Sequence, residues 1–221
     1  MERKLMILGD SIMKGVMYNS GRGRYTLYDD GWFIKSAHES GFDVIKHCRM
    51  GATVEFGLSS LSQIEGDSTV LVEFGGNDCN YDWKVIAAAP ADEHDPVTPP
   101  DAFRSMYRKL IESIKAIGAK PVCLNLVPID TGSFFSWIAK TADGSRVLEW
   151  LGDKNMLYRW HEYYSRTVEE TARETGAQLI DLRTALLRER HYTNMICEDG
   201  LHPNEKGHEL IRRILLPELV K

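Results

Sequence analysis

Short apolar runs alternate with amphipathic helical patterns along this chain of 221 residues. Five of the runs have the length and composition of buried strands, at residues 5–8, 42–46, 69–74, 121–126 and 178–182. Apolar strands that alternate with helices are typical of a parallel sheet covered on both faces. The sequence therefore predicts a three-layer α/β/α sandwich with a central, five-stranded, flavodoxin-like parallel sheet and right-handed crossovers, in one domain of residues 1–221.

Three helices have clear boundaries in the sequence. Apolar residues at a period of 3.6 predict a helix that starts at about residue 99, with Thr98 as its cap, and stops at Gly118. A second helix is predicted over residues 155–175, with Gly176 as its terminator. The last helix is expected to begin at Pro203 and to run to the C-terminal region.

Two connections, at about residues 79–100 and 128–154, are longer than ordinary loops. Each follows a predicted strand, and in a sheet of this kind sites gather at the carboxyl ends of the strands. We therefore expect these insertions to fold as loops over that edge of the sheet and to contribute to binding.

Charge and cysteine content limit the possible partners and compartments. The chain has 27 Lys and Arg against 32 Asp and Glu, without long runs of like charge, which argues against a nucleic-acid surface. The N-terminus contains no stretch long enough for a signal sequence or a membrane span. Four scattered cysteines form no CxxC pair, so a reduced cytoplasmic location fits best. The oligomeric state stays open, a homo-oligomer included.

Polar residues follow the first three predicted strands. Ser11 comes directly after the first strand, where it is either an exposed nucleophile or the cap of a helix that begins at Ile12. Asn77 follows the third strand within Gly-Gly-Asn-Asp, where its amide could stabilise an oxyanion, although these residues also form a good turn. Gly51, after the second strand, could offer an unobstructed N–H group.

A carboxylate and an imidazole lie close together near the C-terminus. Asp199 precedes His202 by three residues, so it can reach Nδ1 of the imidazole and leave Nε2 free to take a proton from a serine. The alternative is a solvated aspartate and a capping histidine. Asp181, at the end of the fifth predicted strand, competes for the role of orienting carboxylate. The other histidines have no comparable neighbour and are interpreted as surface or packing residues.

Taken together, these segments resemble the SGNH hydrolase family, also called the GDSL esterases and lipases. The resemblance extends from residue 5 to about residue 215. It rests on four blocks in the family's order: Gly9-Asp10-Ser11, Gly51, Gly76-Asn77-Asp78 and Asp199-Gly200-Leu201-His202-Pro203. Two residues depart from expectation. Ile12 replaces the usual leucine, and Glu73 places a carboxylate inside a buried strand, where it needs a partner.

The resemblance implies a serine ester hydrolase that works through an acyl-enzyme. Ser11 would be the nucleophile, His202 the general base and Asp199 the residue that orients it. The amides of Ser11 and Gly51, with the side chain of Asn77, would form the oxyanion hole, and no metal or organic cofactor is required. Asp10 and Asp78 flank these groups. They are candidates for substrate contact, but they are expected mainly to brace their loops.

Aromatic residues in the insertions suggest the substrate. Trp83 and Trp137 stand among polar residues, which suits stacking on sugar faces, although core packing is the alternative for other tryptophans of this region. We therefore expect a deacetylase that acts on small acetylated carbohydrates. A short-chain lysophospholipase or thioesterase is the enzymatic alternative. A carbohydrate-binding module on an inactive hydrolase scaffold is the non-enzymatic one, which the intact set of four blocks disfavours.

Overall fold

The computed structural model describes residues 3–219 of the chain. Its strands are β1 (Arg3–Gly9), β2 (Val16–Asn19), β3 (Arg24–Leu27), β4 (Phe42–Cys48), β5 (Thr69–Glu73), β6 (Lys120–Leu124) and β7 (Gln178–Ile180). Its α-helices are α1 (Ser11–Lys14), α2 (Gly31–Glu39), α3 (Val54–Ser59), α4 (Trp83–Ala88), α5 (Pro100–Ala116), α6 (Thr131–Ile138), α7 (Gly144–Leu151), α8 (Asn155–Thr175), α9 (Leu182–Leu187) and α10 (Glu205–Leu219). Short 3₁₀ turns occupy Leu61–Gln63 and Tyr192–Met195.

Five parallel strands form the central sheet in the order β4-β1-β5-β6-β7. All five coincide with predicted strands, so the predicted fold class is confirmed. The chain crosses from β1 to β4 on one side and then places β5, β6 and β7 on the other. This change of direction opens a crevice between the carboxyl ends of β1 and β5, where ligands bind in sheets of this topology.

Helices cover both faces of the sheet. Alternate side chains of β1 point to opposite faces, so the strand contributes to a core on each side. Met6 and Leu8 pack in a core with residues of α3, α5 and α8. Leu5 and Ile7 pack in a second core with residues of α1, α2, α9 and α10. Buried side chains thus hold β1 on both faces of the sheet. This packing fixes the position of Asp10 and Ser11, which follow the strand.

Some local expectations are wrong. The antiparallel hairpin of β2 and β3 has no counterpart in the predictions, because its partly exposed strands lack a clean apolar alternation. The two insertions are not only loops, since they contain α4, α6 and α7. These helices form a small apolar core with the start of α8. Pro99 rather than Thr98 is the N-cap of α5, and α10 begins at Glu205 rather than at Pro203.

Between residues 3 and 219, no helix is both long enough and apolar enough to cross a bilayer. All four cysteines are free thiols.

Candidate active site

The turn from β1 into α1 presents Ser11 at the crevice. Asp10 caps this one-turn helix by accepting a hydrogen bond from Ile12 N at 2.7 Å. Gly15 ends the helix in the left-handed conformation, with φ of 88°. Because the helix is bounded on both sides, the Ser11 side chain is held at a fixed place beside the carboxyl ends of β1 and β5.

The loop before α10 carries the other two predicted catalytic residues. Gly200 makes this loop possible because its φ is +74° and a Cβ atom there would lie 2.2 Å from Phe134 N. Asp130 N donates to Gly200 O at 2.9 Å, which ties the loop to the start of α6. The close approach of the two backbones therefore requires glycine, and it fixes the neighbouring Asp199.

Ser11, His202 and Asp199 form one hydrogen-bonded chain. His202 Nδ1 lies 2.6 Å from Asp199 Oδ2, and His202 Nε2 lies 3.0 Å from Ser11 Oγ. A carboxylate can only accept, so the proton of a neutral imidazole lies on Nδ1, and Nε2 is left to accept from the serine hydroxyl. The three side chains are thus placed and protonated for removal of a proton from Ser11.

Asp199 is completely buried and fully engaged. Its Oδ1 accepts from the backbone N–H groups of Leu201 and His202, each at 3.1 Å. Burial acts to raise the pKa of Asp199, but the hydrogen bond and charge of His202 and the two backbone donors outweigh it and hold this pKa below its ordinary value. Asp199 therefore remains a carboxylate that can stabilise an imidazolium ion.

Asp181, the rival carboxylate, is used elsewhere. Its Oδ1 accepts from Asn125 Nδ2 and from Thr184 N, each at 2.8 Å, so that it caps α9. These bonds lower its pKa, although partial burial opposes them. The geometry pairs His202 with Asp199, and it gives Asp181 a structural position.

Tyr25 of β3 is a neighbour of the site that sequence reasoning missed. Its ring packs edge-on against the His202 ring, with a centroid distance of 5.3 Å. Partial burial, and then the nearby charge of Asp199, raise the pKa of Tyr25 to about 12. No local pattern around Tyr25 signals this contact, because it depends on how the hairpin lies across the site.

Asn77 and Gly51 both line the pocket that Ser11 faces. Asn77 Nδ2 donates to Asp10 Oδ2 at 2.8 Å and to the Ala52 carbonyl at 3.0 Å, so both of its hydrogens are engaged. The oxyanion role of Asn77 stays a prediction, and it requires Nδ2 to share or release its bond to Ala52 when substrate binds. Gly51 has a φ of +73° and lies at the exposed rim.

Glu73, the unexplained carboxylate of β5, has Asp10 as its partner. The parallel register sets Glu73 beside Gly9, so the carboxyl groups of Glu73 and Asp10 lie close enough behind the nucleophile turn to share a proton. Burial, and then the charge of Asp10, raise the pKa of Glu73 well above its ordinary value. Glu73 therefore carries the proton of the pair and donates it to Asp10, which in turn accepts from Asn77.

Asp78 was a candidate for substrate contact, but it lies away from the pocket. It is completely buried and accepts from Val54 N at 3.1 Å and from Thr98 Oγ1 at 2.8 Å. Burial raises its pKa to about 6. It thus braces the loops that follow β4 and β5, and Thr98 serves this brace instead of capping α5.

A pocket of about 180 Å³ opens beside Ser11 and is walled mostly by apolar and aromatic residues. Both insertions and α8 contribute to its walls. Trp83 lines it and donates from Nε1 to Asn80 Oδ1 at 3.0 Å. Trp137 is not among the lining residues, because it packs instead against Tyr18 of the hairpin, with a centroid distance of 4.6 Å.

Several lining residues were not predicted as site residues. They include three aromatic side chains and the buried histidine of α8: Tyr81, Trp150, Trp160 and His161. The helical spacing of α8 favoured packing roles for its residues, and only the fold brings this helix to the pocket.

Comparison with known proteins agrees with the fold. A GDSL esterase/lipase of Arabidopsis thaliana is 24% identical over 212 residues, which are 92% of this chain and 63% of the relative. A lipase/acylhydrolase from Enterococcus faecalis superimposes with a TM-score of 0.65 at 18% identity, covering 99% of this chain and 95% of the other. An acetylxylan esterase from Geobacillus stearothermophilus gives a TM-score of 0.66 at 20% identity, covering 98% and 94%.

The chain also matches a family model. Residues 7–210 match the model of the GDSL-like lipase/acylhydrolase family, and this stretch contains all four blocks on which the resemblance rests. The predicted family is confirmed. From the match across nearly the whole chain, and from the fold that it shares with the solved structures, the protein belongs to the GDSL-like lipase/acylhydrolase family.

Proposed function

We propose that this member of the family is a serine ester hydrolase in which Ser11 attacks the acyl carbonyl. The observation that carries the proposal is the continuous hydrogen-bonded chain from Ser11 through His202 to Asp199. In the first half-reaction His202 Nε2 takes the Ser11 proton, and the Ser11 Oγ–carbonyl bond forms. His202 then protonates the leaving alcohol as the ester C–O bond breaks, which leaves an acyl-Ser11 intermediate.

Water completes the cycle by the same route. His202 removes a proton from water as its oxygen attacks the acyl carbonyl, and Ser11 recovers its proton as the carboxylic acid leaves. Asp199 stabilises the imidazolium that forms in each half-reaction. The Ser11 and Gly51 amides and the Asn77 side chain are the proposed donors to the tetrahedral oxyanion. Loss of one such donor typically lowers turnover about 10²–10³-fold.

The proposed substrates are small acetylated carbohydrates. Aromatic faces of Trp83 and its neighbours in the pocket offer stacking surfaces for sugar rings. The solved structures that share this fold include an acetylxylan esterase, which supports the same substrate class. At 20% identity, the similarity itself shows a shared fold. A cytoplasmic location is part of the proposal and is supported by the free thiols.

A second candidate is a short-chain lysophospholipase or thioesterase, whose acyl group is longer than acetyl. The observation that favours it is the apolar character of the pocket, to which Ile129, Leu151 and Leu157 contribute. These side chains would stabilise several methylene groups of an acyl chain, each worth about 0.8 kcal/mol when buried.

A substrate panel separates the two candidates. We expect acetate release from acetylated xylo-oligosaccharides, and a kcat/KM for p-nitrophenyl esters that falls as the acyl chain grows from acetyl to octanoyl. A kcat/KM that rises with chain length, together with inactivity on the acetylated sugars, would favour the second candidate. Inactivity on every ester would contradict the hydrolase itself.

A further inference from the structure

Two adjacent residues of α8, Trp160 and His161, line the substrate pocket. The Trp160 indole Nε1 is buried and has no hydrogen-bond partner among residues 3–219. His161 is only 7% exposed and bonds to the protein through Nδ1, while no residue between 3 and 219 accepts a hydrogen bond from Nε2. A buried donor without an acceptor is costly, so it calls for a partner.

The proton of the His161 ring can be assigned from its neighbour. Arg183 Nη1 lies 3.2 Å from His161 Nδ1. A guanidinium group can only donate, so Nδ1 must accept and cannot carry a proton. Burial, and then the positive charge of Arg183, lower the pKa of His161 to about 3, so that the ring is neutral. Its single N–H proton therefore lies on Nε2.

Other contacts hold the Arg183 side chain in place, so Arg183 in turn holds the His161 ring. Its Nη1 also donates to the Leu126 carbonyl at 3.3 Å, and its guanidinium lies over the Tyr158 ring at 4.7 Å. Its side chain is nearly inaccessible and forms an ion pair with Glu162. The His161 imidazole thus has a defined orientation and tautomer before any substrate arrives.

We propose that His161 is a specificity-determining residue whose Nε2–H, with the indole N–H of Trp160, binds an oxygen acceptor of the substrate within the aromatic pocket. The acceptor class is the hydroxyl or ether oxygen of a sugar, and in this respect the inference rests on the proposed function. The remaining lining is largely apolar, so these donors distinguish an oxygen-rich substrate from a hydrocarbon one of similar size. A single uncharged hydrogen bond of this kind changes affinity by about tenfold.

Two replacements at His161 separate the donor from the shape of the ring. Phenylalanine keeps a planar ring but has no N–H, and the amide N–H of glutamine can occupy the place of Nε2–H. For an acetylated xylo-oligosaccharide, His161→Phe should raise KM about tenfold with kcat within about twofold of the wild type. Glutamine should restore most of the loss. On p-nitrophenyl acetate, which lacks sugar oxygens, His161→Phe should lower kcat/KM far less than on the sugar, and His161→Gln should not restore this smaller loss.

Binding measured without turnover separates this inference from the proposed reaction. Calorimetric titration of acetylated xylobiose into Ser11→Ala should show binding that weakens about tenfold when His161→Phe is added and recovers with His161→Gln. That result supports the inference even where the wild type fails to hydrolyse the sugar. Absence of binding, equal affinity in all variants, or equal kinetic losses on both esters in variants as stable as the wild type would overturn it.

Discussion

Replacing Glu73 by glutamine should make the protein more stable at neutral pH. The pKa of Glu73 is raised by burial and by the neighbouring Asp10 carboxylate. Above pH 4.5, the ordinary value for this group, the unfolded chain has released a proton that the folded protein still binds. The free energy of unfolding therefore falls as pH rises through this window. Glutamine keeps the shape and a donor to Asp10, but it does not titrate.

The size of the effect follows from proton linkage. Each pH unit over which only the folded state keeps the proton costs about 1.4 kcal/mol of stability. Two pH units of this window correspond to about 3 kcal/mol. The amide N–H of glutamine is a weaker donor to a carboxylate than the O–H of a carboxyl group, by about 1 kcal/mol. Glu73→Gln should therefore gain about 2 kcal/mol over the wild type for two pH units crossed within this window.

Urea unfolding at pH 5, 6 and 7 measures this gain. The difference between Glu73→Gln and the wild type should grow by about 1.4 kcal/mol per pH unit. Glu112→Gln is the matched control, because Glu112 is exposed on α5 and should give no pH-dependent difference. A Glu73→Gln difference that stays constant with pH would show that Glu73 is already ionised in the folded protein, and the reasoning about the pair would be wrong.

Three further predictions concern other parts of the site. Asp199→Asn should lower kcat on the order of 10²–10⁴-fold in steady-state assays, whereas Asp181→Asn should change kcat less than about threefold. The reverse ranking, in variants as stable as the wild type, would make Asp181 the carboxylate that orients His202. Trp83→Ala should raise KM for an acetylated sugar by about fivefold or more, and Trp137→Ala should leave it unchanged, because Trp83 lines the pocket and Trp137 does not. Gly200→Ala should cost about 3 kcal/mol or more and lower Tm by roughly 6–12 °C in calorimetry, and an unchanged Tm would contradict the tight backbone contact at this loop.

The sheet could be predicted from sequence because each strand is recognisable from its own residues. All five are short apolar runs, and the three inner strands, β1, β5 and β6, are buried over most of their length. The helix α8, with bounds Asn155–Thr175, coincides with the predicted helix. The hairpin of β2 and β3 could not be found in this way. Its side chains face solvent and the site loops instead of a core, so they have no periodic pattern.

The proposed catalytic residues were predictable for a related reason. Ser11 directly follows a buried strand, and Asp199 and His202 are close in sequence, so local spacing and strand ends were sufficient to propose them. The residues that surround them were not predictable. The partner of Glu73 depends on the register between β1 and β5, and the position of His161 depends on how α8 crosses the carboxyl edge. Such contacts join residues far apart in the sequence, and only the fold defines them.

Reaction with a fluorophosphonate probe, followed by mass spectrometry of the digested protein, tests the central assignment most directly. A serine activated by His202 should attack the phosphorus and form one stable adduct, on the peptide that contains Ser11. Ser11→Ala should take up no label and hydrolyse no ester, while its unfolding transition stays like that of the wild type. An adduct on a different residue, or turnover by folded Ser11→Ala at the wild-type rate, would contradict the assignment of Ser11 as the nucleophile.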